Sequence, residues 1–202
     1  MVCLAYDCSG DDILVSLVTE KNSYEKIIKN ANGTEQLMVA INAVMAESGM
    51  KINDVDVLAV GVGPGSWTGS RVAVVSTFGL VCGMAKKPKI IKFDSFDIAL
   101  HNETSGAMVI KGFGNFVYVK EVGGLPEIVE KNELLNRHYT KLFSIQKMSF
   151  KTMVIPQDLT GLVKKLLVKP CYIEEKELEP LYLRKSQAEL ERERKLLNGN
   201  KN

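Results

Sequence analysis

The sequence predicts an α/β fold, and three observations support this class. Short apolar segments separated by tight turns open the chain at residues 2–6, 13–19 and 24–30, which is typical of antiparallel strands. Two longer apolar segments, residues 34–48 and 72–85, have the length of helices. A glycine-rich stretch connects a further strand-like run to the second of these helices. This alternation of strands and helices favours sheets that are covered by helices.

The composition sets broad limits on function. With 202 residues, 46% of them hydrophobic and 25% charged, the chain can bury one substantial core or two small ones. Its net charge of +2 is too small to indicate a surface that grips nucleic acid. The N-terminus does not have the pattern of a signal peptide, and no apolar run reaches the roughly 18 residues of a membrane span. We therefore expect a soluble, cytoplasmic protein that does not associate with a membrane.

Residues 61–71 form the most distinctive stretch, Gly-Val-Gly-Pro-Gly-Ser-Trp-Thr-Gly-Ser-Arg. The apolar run 55–60 before it predicts a buried strand, and Ser66 or Thr68 can cap the helix after it. Pro64 and its flanking glycines set an irregular turn between the two. Such a turn can hold an anion at a helix N-terminus, although it lacks the P-loop and dinucleotide fingerprints, and the alternative is that it only shapes the chain. The predicted anion-binding residues are Gly63, Gly65, Ser66, Thr68 and Arg71.

The two long helices are apolar on more than one side. In the first, Thr34 is the predicted cap and Gly49 the predicted end, and apolar residues surround the axis between them. The second contains no charged residue from position 72 to position 85. Because burying one face of each helix against a sheet would leave apolar surface in water, we expect another subunit to cover the rest.

A stripe of small residues in the second helix sharpens this expectation. Gly69, Ala73, Ser76 and Gly83 recur at spacings of four, three and seven, and small side chains let another helix approach closely. The alternative is a close fit to the protein's own sheet or first helix. The predicted partner interface consists of Thr34, Leu37, Met38, Ile41, Met45, Trp67, Gly69, Arg71, Ala73, Ser76 and Leu80.

The second half of the sequence is less regular. Residues 107–110 and 116–122 predict a hairpin and residues 157–168 predict a short helix, whereas the order of elements in residues 125–150 stays open. The predicted domains are an N-terminal subdomain at residues 1–104, which carries the glycine-rich stretch and both interface helices, a reduced second subdomain at residues 105–184, and a charged tail at residues 185–202.

The cysteines and histidines do not indicate a metal centre. The four cysteines are scattered without a Cys-x-x-Cys pair, so we interpret them as buried reduced thiols. His101 and His138 are the only histidines, and neither has a Cys or His neighbour at the spacing of metal ligands. We therefore expect no metal site in this chain.

Two motifs resemble the signature of a known family. Residues 63–71 are close to the Gly-Pro-Gly-Ser-Phe-Thr-Gly-Leu-Arg signature of the TsaB (YeaZ) family, with Trp67 and Ser70 as the departures. Residues 180–184, Pro-Leu-Tyr-Leu-Arg, resemble the Pro-x-Tyr-Leu-Arg sequence that closes TsaB proteins. Gly33 stands where the family has a histidine at the start of its first helix. The resemblance covers most of the first 99 residues and returns at the second motif.

The resemblance implies a fold and a role. The fold is that of the actin-like superfamily, with mixed sheets, helices and a reduced C-terminal half. The role is that of a non-catalytic partner that binds and stabilises the catalytic TsaD subunit, together with the ATPase TsaE, during threonylcarbamoyladenosine modification of tRNA. It further implies a homodimer when the chain is alone, tRNA contacted indirectly if at all, and no cofactor required by this chain, with ATP or ADP able to bind at the partner interface.

Two other functions compete with this reading. The turn at Asp7 is similar to the turn that faces nucleotide phosphates in the actin, sugar-kinase and heat-shock ATPase superfamily, which would suit a free-standing ATP-binding enzyme. Asp11 and Asp12 crowd that turn with negative charge and argue against it. A metallopeptidase-like protein is disfavoured because Asp94 and Ile98 stand where the catalytic paralogue carries its two metal-binding histidines. A homodimeric scaffold without a role in tRNA is a third hypothesis.

Overall fold

The computed structural model describes residues 1–184, and the predicted charged tail lies outside the described residues. The strands form two five-stranded sheets. In the first sheet they are β1 (Cys3–Asp7), β2 (Ile13–Val18), β3 (Ser23–Ile28), β4 (Val57–Gly61) and β5 (Lys89–Phe93). Their order is β3-β2-β1-β4-β5; the meander β1–β2–β3 is antiparallel, whereas β4 and β5 continue parallel to β1. The predicted opening strands are confirmed.

Five α-helices, along with short 3-10 helices at Ile52–Asp54 and Glu175–Glu177, connect and cover the strands within residues 1–184. The α-helices are α1 (Gly33–Ser48), α2 (Trp67–Gly83), α3 (Asp97–Leu100), α4 (Lys131–Asn136) and α5 (Leu159–Val168). Helices α1 and α2 pack side by side on one face of the first sheet, and α5 packs on β1 and β2 from the other face. Successive side chains of a strand point to opposite faces, so every residue of β1 is buried in one layer or the other. This double cover explains why the central strands are continuously apolar.

The second sheet follows in the chain. Its strands are β6 (Ala107–Lys111), β7 (Phe116–Glu121), β8 (Glu127–Glu130), β9 (Leu142–Ser144) and β10 (Met153–Val154), in the order β10-β9-β6-β7-β8. The hairpin of β6 and β7 confirms the predicted pair of strands. The stretch whose order stayed open from the sequence contains β8, α4 and β9.

The helix caps correct one prediction and confirm two. Helix α1 is capped by Asn32, whose Oδ1 accepts the backbone N–H of Thr34 at 3.1 Å, so Thr34 is not the cap. Asn32 is the cap because it stands one position before the first helical residue, where a side-chain oxygen can accept a free backbone N–H. Gly49 ends α1 in the left-handed conformation at φ 69°, as predicted. Ser66 caps α2 by accepting the N–H of Gly69 at 3.1 Å.

The end of the described chain returns to the first sheet. Ile173 forms an antiparallel bridge with Ile90 of β5, and the Leu181 N–H donates to the Val62 carbonyl at 2.8 Å. Helix α5 and this returning segment both lie in the predicted second subdomain, yet both pack on the first sheet. The domain boundaries themselves stay a prediction.

Two of the four cysteines are exposed to solvent. Cys82 and Cys171 are exposed, contrary to the prediction that all four thiols are buried, because they lie at the outer side of α2 and in the returning segment. Throughout residues 1–184, each helix falls short of the length and hydropathy that crossing a bilayer requires.

Candidate functional site

The glycine-rich stretch is pressed against the turn between β1 and β2. The Ser66 N–H donates to the Ser9 carbonyl at 2.6 Å, and the Cys8 thiol donates to the Gly69 carbonyl at 3.1 Å. A Cβ atom at Gly65 would overlap the Ser9 carbonyl oxygen, and one at Gly69 would overlap the Cys8 carbonyl oxygen. Glycine is needed at both positions because two backbones meet there.

Asp7 lies buried beneath this contact. Its Oδ1 accepts the Ser9 N–H at 3.2 Å and the Ser9 hydroxyl at 2.8 Å, and the Ser9 and Ser95 hydroxyl oxygens are 2.5 Å apart. Burial raises the pKa of Asp7 to about 6, although the bonds from Ser9 oppose the rise. Asp7 is 1% exposed, and a Cβ atom at Gly61 would overlap its carboxylate. The carboxylate of Asp7 is therefore enclosed by the chain itself.

The two acidic residues that follow behave differently from each other. Asp12 forms an ion pair with Lys29 at 2.7 Å and accepts the Asn30 N–H at 3.1 Å, which fixes the end of β3. Asp11 is exposed at the rim of a cleft of about 500 Å³ between the two sheets. Lys29 therefore pairs with one of the two acidic side chains that were predicted to crowd this turn with negative charge.

The predicted anion-binding loop is only partly assembled. The loop turns at Gly63 with φ 97°, and Ser66 directs both its N–H and its hydroxyl oxygen into bonds within the chain. Thr68 is exposed in the first turn of α2. Arg71 points away to another partner, because its Nε donates to the Tyr182 hydroxyl at 2.7 Å. Anion binding at this loop stays a prediction.

The second motif meets the first through aromatic rings and arginines. The Trp67 and Tyr182 rings stack with centroids 4.5 Å apart and planes at 23°. The Arg71 guanidinium lies 5.2 Å from the Trp67 centroid, and that of Arg184 lies 5.9 Å from Trp67 and 4.8 Å from Phe113. We call these five residues the aromatic–arginine cluster. Each motif was visible in the sequence, but their contact was not.

The helix pair corrects part of the predicted partner interface. Leu37, Ile41 and Met45 of α1 and Gly69 and Ala73 of α2 are buried in the chain's own core. They cannot reach another subunit while the helices keep this packing, because they face the sheet and the turn at Cys8. Ala73 thus lies in the core between α2 and the sheet, as the alternative proposed, whereas Gly69 fits closely against the turn at Cys8 and not against the sheet or the first helix.

The remaining predicted interface residues are accessible to differing degrees. Thr34, Met38 and Arg71 are exposed, whereas Trp67, Ser76 and Leu80 are half-buried. Beside them lies apolar surface that the sequence analysis did not single out, including Val39 at 56% and Val75 at 64% exposure. We call this surface the outer helix face; it consists of Met38, Val39, Ala43 and Ala46 of α1 and Val75, Gly79, Cys82 and Gly83 of α2.

Another polar cluster escaped sequence analysis. Lys120 of β7 bridges Asp94 and Asp97 at 2.6 Å each, which joins the second sheet to the turn after β5.

The described histidines and acidic residues do not form a metal site. His101 Nε2 lies 3.3 Å from the Asp158 carboxylate, so His101 is paired locally. Within residues 1–184, no three histidine, cysteine, aspartate or glutamate side chains converge in a geometry that could hold a metal ion.

Comparison with known proteins identifies relatives in sequence. The family model described as TsaD: tRNA N6-adenosine threonylcarbamoyltransferase matches residues 28–105. The tRNA threonylcarbamoyladenosine biosynthesis protein TsaB of Haemophilus influenzae is 35% identical over 85 residues. That alignment covers 41% of this chain and 36% of the relative, so it spans little more than a third of the relative's length.

Solved structures share the fold over almost their whole length. YeaZ from Pseudomonas aeruginosa superposes with a TM-score of 0.72 at 18% identity, covering 90% of this chain and 99% of that chain. A protein described as similar to peptidase YeaZ from Pseudomonas aeruginosa gives a TM-score of 0.72 at 18% identity, covering 91% and 99%. The resemblance to the TsaB (YeaZ) family is thereby confirmed. The predicted α/β, actin-like fold is confirmed as well.

The departures from the TsaB signature have local explanations. Trp67 replaces phenylalanine and presents a larger ring to Tyr182. Ser70 replaces leucine; it is buried, and its hydroxyl donates to the Ser66 carbonyl at 3.0 Å. Gly33 replaces histidine at a point where a Cβ atom would already lie 3.3 Å from the Cys8 side chain. Of the three departures, Gly33 thus lies against the first turn, whereas Ser70 bonds within the glycine-rich stretch and Trp67 contacts the second motif.

Proposed function

We propose that this chain is a non-catalytic subunit in threonylcarbamoyladenosine modification of tRNA, and that it acts by binding and stabilising a TsaD-type catalytic subunit. The TsaE ATPase would join the same assembly. Support comes from the relative that is named as a threonylcarbamoyladenosine biosynthesis protein and from the TsaD family model that matches residues 28–105. The observation that carries the proposal is the outer helix face.

The outer helix face has the character of a subunit interface. Its valines are more than half exposed, and a Cβ at Gly79 or Gly83 would have no atom of residues 1–184 within 4 Å apart from the adjoining backbone of α2 itself. Contiguous apolar surface of this kind marks interaction sites, and small residues allow another helix to approach closely. A helix pair that buries one face in its own sheet therefore has a second face available for a partner.

The matched family suggests which partner fits. The TsaD family model spans α1, β4, α2 and β5 of this chain, so a TsaD-type subunit would present a related helix pair. Two related helix pairs can pack about a two-fold axis, either as two copies of this chain or as one copy with the catalytic subunit. On this proposal the homodimer and the complex with the catalytic subunit use the same surface. ATP or ADP at the partner interface remains compatible with it and is not required by this chain.

A single charge tests the outer helix face. Val75→Arg should leave the fold intact because the side chain is 64% exposed. In an interface it would bury an unpaired charge at a cost of several kcal/mol, so we expect binding to a TsaD-type subunit to weaken about 100-fold or more. Sedimentation of the isolated chain and co-purification with that subunit measure self-association and binding separately.

The matched control is Val168→Arg. Val168 is 85% exposed at the end of α5, which packs on the opposite face of the sheet, and we expect no change in either assay. If Val75→Arg abolishes the homodimer but binds the catalytic subunit at full strength, the two surfaces differ. If neither assay responds, the outer helix face is not the interface. Ala73→Arg is unsuitable here because Ala73 is fully buried and the change would disrupt the core.

A further inference from the structure

The aromatic–arginine cluster is layered and open at one end. The Tyr182 ring stacks on Trp67, and the Arg184 guanidinium lies 5.9 Å from the Trp67 centroid. Arg184 is followed by the Phe113 ring, at 4.8 Å. Phe113 stands at the tip of the β6–β7 hairpin and is 67% exposed. The stack therefore ends in a ring that another flat group can cover.

The cluster also carries positive charge that no acidic side chain within residues 1–184 neutralises. Arg71, Arg184 and the neighbouring Lys111 take part in none of the ion pairs found within residues 1–184. The Nε of Arg184 is buried without a hydrogen-bond partner. Buried donors normally have partners, and residues 1–184 supply none here, so an acceptor from beyond these residues would complete this group.

A purely internal role explains only half of the cluster. The stack of Trp67 on Tyr182 and the bond from Arg71 hold the returning segment against α2. These contacts do not explain why Phe113, on a hairpin of the second sheet, is exposed to solvent. Nor do they explain why the Arg184 Nε next to it lacks a hydrogen-bond partner. Phe113 and Arg184 line the cleft between the sheets together with Gln146 and Gln157, whose amides can hydrogen-bond the edge of a base.

We infer that the aromatic–arginine cluster binds unpaired RNA, with a nucleobase stacked on Phe113 and neighbouring phosphates contacted by Arg184 and Lys111. Stacking on aromatic and guanidinium planes, with cations beside the backbone, is how proteins hold single strands. The exposed Asp11 also lines the cleft and would repel the phosphates of a free nucleotide held inside it, which favours a strand lying across the rim. The choice of RNA rests on the proposed function in tRNA modification.

Trp67 provides a fluorescent reporter inside the cluster, because it is the only tryptophan in the chain. We would titrate the full chain with a ten-nucleotide unpaired RNA and follow both Trp67 fluorescence and the anisotropy of labelled RNA. We expect saturable quenching of Trp67, at least about 10-fold weaker binding of the same sequence as a duplex, and a slope of log K against log salt of about −1.4 for two phosphate contacts.

Variants separate stacking from general attraction. Phe113→Ala keeps the reporter and should weaken binding about 10-fold, and Arg184→Gln should weaken it and flatten the salt slope. The matched control is Tyr172→Ala, which removes another exposed ring that has a cation, Lys89, 4.5 Å from its centroid. We expect this control to bind RNA as the unaltered chain does.

Three results would overturn the inference. The first is RNA binding that is unchanged in both Phe113→Ala and Arg184→Gln. The second is competition by AMP at the same concentration of bases, which would assign the cluster to free nucleotides. The third is equal competition by an acidic peptide, which would show that charge alone attracts the ligand. Failure of RNA binding with Val75-dependent subunit binding intact would leave the proposed function standing, so the two failures are distinguishable.

Discussion

The two ends of α2 use small residues for opposite reasons. At the N-terminal end Gly69 lies against the Cys8 carbonyl, so closely that a Cβ atom would overlap it. At the C-terminal end a Cβ atom on Gly79 or Gly83 would meet nothing within 4 Å. The first end is closed by the chain's own backbone, and the second is open. The same residue type therefore marks an internal contact at one end and free surface at the other.

This difference divides the stripe of small residues that the sequence predicted. Gly69 and Ala73 are buried, Ser76 is half-buried and Gly83 is exposed, so the four do not form one continuous docking groove. A spacing pattern shows which residues share a helix face, but it does not show whether the chain's own turn or another molecule covers that face. Substitutions of small residues at the two ends of α2 should therefore have opposite effects.

The largest expected effect comes from adding one methyl group at the closed end. Gly69→Ala places a Cβ atom onto the Cys8 carbonyl, and neither backbone can move without disturbing β1 or the cap of α2. We expect a loss of more than about 4 kcal/mol in the free energy of unfolding, measured by urea denaturation, because overlap with backbone is not relieved by a change of rotamer.

The same substitution at the open end is the matched control. Gly79→Ala adds the same methyl group in the same helix, where nothing lies within 4 Å. Alanine is the better helix former, so we expect a gain of about 0.5 to 1 kcal/mol. Equal effects of Gly69→Ala and Gly79→Ala would show that Gly69 does not lie against the Cys8 carbonyl, and the two ends of α2 would then not differ in this way.

The second prediction concerns the carboxylate beneath the closed end. The pKa of Asp7 is raised from 3.8 to about 6 because burial disfavours its charge. The folded state therefore binds this proton more tightly than the unfolded state. The contribution of Asp7 to stability should therefore be greatest below about pH 4, fall by about 3 kcal/mol as the pH rises to about 6, and then stay level.

Asp7→Asn isolates this contribution, because the other titrating groups are common to both proteins. Urea denaturation of the unaltered chain and of Asp7→Asn from pH 4 to pH 7 should give curves whose difference changes over that window only. A difference that is independent of pH would mean that Asp7 is charged without penalty in the folded state, and thus that water reaches the closed end.

Much of the fold could be predicted from the sequence because its signals are local. The meander, the two long helices, the β6–β7 hairpin and the cap at Ser66 depend on apolar patterns and on residues close together in the chain. The order within the second sheet was not predictable, because β9 pairs with β6 and β10 across long and irregular connections. Pairing of that kind depends on packing that no short window contains.

The candidate site was less predictable, because its contacts join distant segments. Ser9 and Ser95 meet beneath the glycine-rich stretch, and Trp67 meets Tyr182, although each pair is far apart in the sequence. Lys120 bridges Asp94 and Asp97 from a different sheet. The motifs at residues 63–71 and 180–184 were the one available signal for such contacts, since both belong to the same family signature and only the structure brings them together.

The smallest expected effect concerns Arg71, an exposed residue near the N-terminal end of α2. From the sequence, a cation in the first turns of a helix suggested a partner or an anion, whereas the structure gives it the Tyr182 hydroxyl at 2.7 Å and two rings to lie over. A double-mutant cycle with Arg71→Gln and Tyr182→Phe measures that bond, because the phenylalanine keeps the ring that stacks on Trp67. We expect a coupling of about 0.5 kcal/mol in urea denaturation, since Arg71 and Tyr182 are exposed and water competes for both groups. A coupling near zero would leave Arg71 unattached to the closed end and return it to the predicted partner interface, where Arg71→Gln alone should then weaken subunit binding.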